Sequence, residues 1–169
     1  KLYKREQIMD GRTAQRTIIV QLADTRWTTA AVEAACQIAR DSKATLALVL
    51  LLSRETLNWK GIDANEYEFT DSEQDDLNTY QRIAATYGVP TNVHSFAYTD
   101  LAQTLATVAD LLHADNVIAP VAEGTIPFVG GRAVRHLSHV LESHHHHLLT
   151  VNQPAVNNGQ QSILTAITE

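Results

Sequence analysis

The sequence predicts an α/β protein in which five parallel strands form an open, doubly wound sheet with helices on both faces. Short apolar runs, typical of buried strands, alternate with longer segments whose apolar residues recur at helical spacing. The run at residues 44–53 is apolar on both faces, as the central strands of a parallel sheet are. We predict strands at residues 16–24, 44–53, 91–98, 115–122 and 146–152.

The first two strands and the helix between them form a βαβ unit, whose crossover should be right-handed. One face of this helix carries apolar residues at helical spacing, namely Val32, Ala35, Cys36 and Ala39. Cys36 is the only cysteine, so the chain forms no internal disulfide, and a cytoplasmic location is expected. We interpret Cys36 as a buried structural thiol, with a reactive thiol as the alternative.

Residues 54–76 interrupt the alternation of strands and helices. They contain eight acidic residues, Glu55, Asp63, Glu66, Glu68, Asp71, Glu73, Asp75 and Asp76. We predict a solvated loop that leads into a helix, which ends at Gly88 before Pro90. The alternative is a docking surface for a basic partner.

The second half of the chain continues the pattern. Asp100 can cap the helix that follows the third strand, with Gln103 three residues on as in a capping box. A final helix is predicted from about Gly131 to Ser143. After Pro154 the chain is polar, and residues 162–169 could form an extra edge strand, a swapped arm or a frayed tail.

Length and charge set the organisation and exclude some classes of protein. The 169 residues suit one domain, predicted at residues 15–153, with a lead-in at 1–14 and a tail at 154–169. The net charge of −6 argues against a general nucleic-acid binder. No apolar run approaches the roughly 20 residues that span a membrane. The basic lead-in is interpreted as a flexible segment, with a linker from a preceding membrane segment as the alternative.

The stretch at residues 119–137 is the expected place for a ligand. It reads APVAEGTIPFVGGRAVRHL and carries three glycines between a strand and an amphipathic helix. Ligands of doubly wound sheets bind beyond the carboxyl ends of the strands, where the strand order reverses. This loop leaves the carboxyl end of the fourth strand, and a helix start there offers free N–H groups to an anion.

The order of elements, the length and the last third of the chain resemble the universal stress protein family over roughly residues 15–152. The segments HADNVIAP and HHHHLLTV, joined by a glycine-bearing loop, look like that family's closing segment, and YTDLAQTLATVADLLHAD is similar to its helix before strand four. The resemblance implies an adenine nucleotide alpha-hydrolase-like fold and a regulatory domain, of which one form is the cytosolic tail of a transporter. It also implies a homodimer through the last strand, here residues 148–152, which is apolar and is expected at an edge of the sheet, where unpaired N–H and C=O groups seek partners. If a membrane domain is attached, the chain would lie on the cytoplasmic face.

Nucleotide-binding members of that family carry Gly-x₂-Gly-x₉-Gly-Ser/Thr, an ATP site, and this sequence departs from the pattern. Pro120, which has no N–H, stands at the first glycine, and Glu123 at the second, with Gly124 one residue late. The Gly-Ser/Thr pair becomes Gly130, Gly131 and Arg132, at altered spacing.

Six residues are the candidates for contact with ATP or AMP, namely Asp24, Thr25, Gly124, Gly130, Gly131 and Arg132. Asp24 stands one residue after the family's usual Asp position, which aligns with Ala23, and Thr25 could donate from the same loop or only cap a helix. Gly130 and Gly131 either expose N–H groups to an anion or form a tight turn that lets the helix pack closely. The family functions left open are a regulatory domain with weak or lost nucleotide binding and a switch set by ATP or AMP occupancy.

No metal site and no catalytic residue is predicted. The run His144 to His147 is interpreted as a polar turn, and His136 and His139 as helix surface, with adventitious metal binding as the alternative. The chain shows no nucleophile elbow, Walker loop or Ser-His-Asp arrangement readable from spacing. We therefore predict that it is not an enzyme, with slow nucleotide hydrolysis left open.

Overall fold

A computed structural model describes residues 16–120, 129–152 and 163–166. The elements, in chain order, are β1 (Thr17–Gln21), α1 (Thr25–Ser42), β2 (Thr45–Ser53), α2 (Arg54–Lys60), a 3₁₀ turn (Ala64–Glu66), α3 (Asp71–Thr86), β3 (Thr91–Tyr98), α4 (Leu101–Leu111), β4 (Ala114–Ile118), α5 (Val129–Ser143), β5 (His147–Asn152) and β6 (Ile163–Ala166).

The strands form one sheet in the order β3-β2-β1-β4-β5-β6. The first five strands of the chain pair in parallel, which confirms the predicted doubly wound sheet. β6 pairs antiparallel with β5, from Leu149 opposite Ala166 to Asn152 opposite Ile163. Of the three alternatives for the end of the chain, the structure therefore has the extra edge strand.

β5 is not the free edge of the sheet, and that premise of the predicted homodimer was wrong. The outer N–H and C=O groups of β5 were expected to seek a partner strand in a second copy. In the structure β6 occupies that side of β5. The apolar run at residues 148–152 gave no sign of this, because an edge strand and an inner strand differ only in what pairs with them.

Helices cover both faces of the sheet, and the side chains of each strand alternate between the two layers. Ile18 and Val20 of β1 pack with α1 and α3, whereas Ile19 packs with α4 and α5 on the opposite face. The strand order accounts for this division, because the chain winds toward β3 from β1 and then returns to the other side of β1; crossovers of one hand then place the later helices on the opposite face.

Cys36 lies in the core between the sheet and the α1–α3 layer and is 0% exposed. Burial, with a smaller contribution from Glu33, raises the pKa of its thiol to about 11. The thiol is therefore protonated at neutral pH and screened from reagents, which confirms the buried position predicted for it.

Residues 54–76 are more ordered than the predicted loop. α2 begins after Ser53, whose hydroxyl accepts the Thr56 N–H, and ends at Gly61 in the left-handed conformation. α3 begins with a capping box in which Thr70 and Glu73 exchange hydrogen bonds. The prediction of a loop failed because polar residues that are typical of loops serve here as helix caps. The helix predicted to follow is present as α3.

Within the described residues, no helix is both long enough and apolar enough to cross a bilayer.

Candidate functional site

A cleft of about 420 Å³ lies where β1 and β4 end, on the face covered by α4 and α5. β1 sits between β2 and β4, so the winding of the sheet reverses at this point, which is where doubly wound sheets bind ligands. The volume falls in the range of small-molecule sites, about 300–1,000 Å³. The described residues that line it are Gln21, Asp100, Leu101, Ala102, Pro120, Ala133, Val134, His136, Leu137 and Leu148.

Most of the lining is apolar, and Gln21 is a polar group on its floor. It is the last residue of β1 and alternates onto the α4–α5 face together with Ile19. Its Oε1 atom is buried and has no hydrogen-bond partner within the described part of the chain. A buried polar atom without a partner is costly, and such atoms are rare outside functional sites. At the rim, Asp100 and His136 add two further polar side chains.

The two residues predicted after β1 are engaged within the protein. Asp24 is the N-cap of α1, and its Oδ1 accepts the Trp27 N–H at 2.9 Å. Thr25 donates its hydroxyl hydrogen to Asp76 of α3 at 2.8 Å, which ties the starts of two helices together. Neither Asp24 nor Thr25 lines the cleft, so these two residues and the start of α5 do not share one site.

The start of α5 lies next to the cleft, whose described lining on this helix begins at Ala133 and does not include Gly131 or Arg132. Val129, Gly130 and Gly131 form its first three positions, so their backbone N–H groups have no partner inside the helix. A Cβ atom added at Gly131 would meet no atom of the described residues within 4 Å, and its φ is not positive. Close packing against the described residues therefore does not call for glycine at this position, and contact of an anion with its backbone stays a prediction.

Arg132 is exposed at the same helix start. Among the ion pairs of the described residues, none involves Arg132. Gly124 and Glu123 lie outside the described residues, so those two positions of the predicted loop stay as predictions.

A second, smaller cavity of about 80 Å³ lies on the opposite face of the sheet, against α3. Its lining includes the acidic residues Glu73 and Asp76, and Tyr80. Burial, followed by the nearby Asp76 carboxylate, raises the pKa of Tyr80. The cavity is too small for a nucleotide and is acidic, so it does not suit a phosphate-bearing ligand.

Sequence reasoning missed Gln21 and misread part of the histidine run. Gln21 gave one usable signal, a long amide at the last position of an otherwise apolar strand, at the ligand-binding edge. The turn predicted at His144 exists, but His146 is buried rather than part of a polar surface. Among the described residues, no group of three His, Cys, Asp or Glu side chains is placed to hold a metal ion.

Comparison with known proteins gives structural matches only. No protein-family model matches the sequence, and no curated protein matches it either. A universal stress protein solved in complex with cAMP is 17% identical, with a TM-score of 0.53 over 82% of this chain and 98% of that one. UspA from Lactobacillus plantarum is 16% identical, with a TM-score of 0.50 over 73% of this chain and 90% of that one. A universal stress family protein from Burkholderia pseudomallei is 21% identical over 71% of this chain and 88% of that one, with a TM-score of 0.49.

The first two matches cover nearly the whole length of the proteins compared. At such low identity they establish the fold and no more. The chain has the fold of the universal stress proteins.

Proposed function

We propose that this chain is a non-catalytic regulatory domain of universal-stress type that binds an adenine nucleotide weakly. The observation that carries the proposal is the cleft at the reversal point of the sheet, which adjoins a helix start with exposed backbone and an arginine. One solved protein of the same fold is a complex with cAMP, which supports a nucleotide as the ligand class.

In the proposed arrangement the base occupies the apolar cleft and the phosphate lies at the start of α5. Two features favour an anion there: the N–H groups of the first helical turn, which have no partner inside the helix, and the guanidinium of Arg132. Pro120 at the cleft lining has no N–H to offer, which removes a donor that the family motif supplies. Binding should therefore be weaker than in proteins that carry the full motif.

The test is titration of AMP, cAMP and ATP by calorimetry against the wild type, Arg132→Ala and Arg135→Ala. Arg135 is a matched control because it is exposed on the same helix but lies farther from its start than Arg132, and neither arginine is part of the cleft lining. A charge-assisted hydrogen bond contributes about 1.5–3 kcal/mol, so Arg132→Ala should weaken binding roughly ten- to a hundredfold, and Arg135→Ala only slightly. Equal losses in the two variants would mean that the effect is one of overall charge.

Long incubation with ATP separates the alternative, a switch that hydrolyses its nucleotide. A non-catalytic domain gives heat of binding and no ADP. Product formation that is lost in Arg132→Ala would favour the switch.

We also propose a homodimer through β5, in a form that takes β6 into account. Because β6 covers the outer edge of β5, the strand can pair with its mate only after β6 is displaced. Light scattering on the full chain and on a chain ending at Gln153 tests this. An attached membrane domain and a cytoplasmic site of action remain proposals that rest on the resemblance.

A further inference from the structure

Three side chains meet at the edge of the sheet where the strands begin, at the opposite end from the cleft. Asp110 lies in the last turn of α4, and His144 and His146 lie between α5 and β5. His144 Nδ1 is 2.8 Å from Asp110 Oδ2, and His146 Nε2 is 2.9 Å from Asp110 Oδ1. We refer to Asp110, His144 and His146 as the imidazole–carboxylate cluster.

The hydrogen bonds of His146 determine how many protons its ring carries. Its Nδ1 lies 2.6 Å from the carbonyl oxygen of Ala114, which can only accept, so Nδ1 must donate. Its Nε2 faces an oxygen of Asp110, which also only accepts when the carboxylate is ionised. To donate in both contacts while Asp110 is ionised, the ring needs hydrogen on both nitrogens, which is the imidazolium form.

Because His146 is buried, its charge state depends on the groups around it. His146 is 7% exposed, and a buried cation is stable only next to an opposite charge. Asp110 supplies that charge, and hydrogen bonds from His144 and then His146 hold the pKa of Asp110 below its usual range. The ring of His144 stacks on that of His146 at 6.4 Å between centroids.

Among the charged groups around the cluster, Asp110 is the counterion of the His146 ring. The groove around the cluster is also lined by Arg16, His113, Asp115 and His145. Arg16 and Asp115 pair with each other at 3.7 Å, and both are exposed, so their charges largely cancel at the cluster.

We propose that the imidazole–carboxylate cluster is a proton-operated latch that fixes the turn between α5 and β5 to the end of α4 and the start of β4. With the proton bound, His146 bridges Asp110 and Ala114. Without it, one of the two contacts brings two acceptors together and is lost. β5 begins at the next residue, His147, so release of the latch loosens the attachment of β5 and of the β6 strand paired to it.

The sign of the effect follows from proton linkage. The folded protein offers the protonated His146 ring two bonds, to Asp110 and to the Ala114 carbonyl, that the unfolded chain lacks, so the folded state favours the bound proton. Folding stability must therefore fall as pH rises through the range in which the latch loses that proton.

The test compares the melting temperature at about pH 6 and about pH 8 for the wild type, His146→Gln and His147→Gln. His147 is the matched control, because it is the adjacent histidine and is exposed. The wild type and His147→Gln should lose at least about 3 °C more than His146→Gln between the two pH values. An equal loss in all three proteins would overturn the latch.

Nitrogen-15 NMR of the imidazole rings supplies an independent readout. At about pH 6 both ring nitrogens of His146 should carry hydrogen. As the proton leaves, amide exchange should accelerate in β5 before it does in β1. A His146 ring with one bare nitrogen at that pH would overturn the assignment.

Two further measurements keep the proposal open to refutation. If His146→Gln does not fold, Asp110→Asn replaces it, because this variant removes the charge and leaves the bond to Ala114 in place; it too should lose the pH response. Stoichiometric ZnCl₂ at about pH 8 should not stabilise the wild type. If zinc raises the melting temperature of the wild type and not that of Asp110→Asn, the cluster is a metal site and the latch is wrong.

Discussion

Replacement of Asp24 by alanine separates two roles of this residue, the nucleotide contact expected from the sequence and the helix cap found in the structure. The Asp24 carboxylate accepts the Trp27 N–H at 2.9 Å at the start of α1, and Asp24 does not line the cleft. The variant should therefore lose stability and keep its affinity for nucleotide.

The size of the stability loss follows from the cap. Removal of an Asp N-cap costs about 0.5–2 kcal/mol, typically about 1 kcal/mol. A second bond at the same turn survives, in which the Ala23 N–H donates to the Thr28 hydroxyl at 3.0 Å, so a value near the middle of the range is expected. For a chain of this size that corresponds to a fall in melting temperature of about 3 °C.

The assay combines thermal unfolding with calorimetric titration of AMP. Asp24→Asn is the conservative control, because asparagine caps a helix as well as aspartate and removes only the charge. Asp100→Ala is the contrasting control. Asp100 caps α4 through the Gln103 N–H at 2.9 Å, and it also lines the cleft. Asp100→Ala should lose similar stability and bind AMP more tightly, because a negative charge leaves the site.

Two results would refute this reasoning. Asp24→Ala that melts with the wild type would show that the cap does not limit the stability of α1. Asp24→Asn that keeps its melting temperature but binds AMP tenfold more weakly would show that the carboxylate contacts the ligand, and the cleft would then be misplaced.

Three other variants or probes test the fold. Cys36 in the native protein should resist thiol reagents at neutral pH and react at once in urea, since burial raises its pKa to about 11; rapid labelling of the native protein would contradict its buried position. Leu141→Ala should lower the free energy of unfolding by about 2–5 kcal/mol in urea melts, because Leu141 is 0% exposed in the core between the sheet and α5. A loss below about 1 kcal/mol would mean that α5 packs more loosely than described. A chain ending at Gln153 should associate more strongly than the full chain in light scattering, because removal of residues 154–169 uncovers β5. An unchanged mass in light scattering would show that β6 does not prevent association through β5.

Sequence reasoning recovered the parallel sheet because its signals are local. A buried parallel strand is apolar on both faces, and β2 shows this directly. The partner of a strand is not local information. β6 pairs with β5. The sequence between the two strands is polar and has no hydrophobic pattern, so it predicted a tail as readily as a strand.

The position of the candidate site could be predicted from the sequence, but the residues that line it could not. The rule that ligands bind at the reversal of the sheet located the edge, and the start of α5 was found from its glycines. Asp24 and Thr25 were drawn in by alignment with a motif, although their side chains are engaged by Trp27 and Asp76. Gln21 was passed over because its importance depends on its burial beneath two helices, which only the packing of α4 and α5 creates.

The departures from the family motif also decide how the two ends of a nucleotide should contribute. In the proposed arrangement the phosphate end would gain about 0.3–1 kcal/mol from the helix dipole and about 1.5–3 kcal/mol from a charged bond to Arg132. An affinity of 1 mM needs about 4.1 kcal/mol, so the phosphate contacts alone give binding no tighter than about millimolar. Any tighter binding must come from the base in the cleft on the α4–α5 face. Inorganic phosphate should then fail to protect the fold at concentrations at which AMP does, and a bulky side chain at the cleft wall, as in Ala133→Leu, should weaken AMP while leaving the start of α5 open.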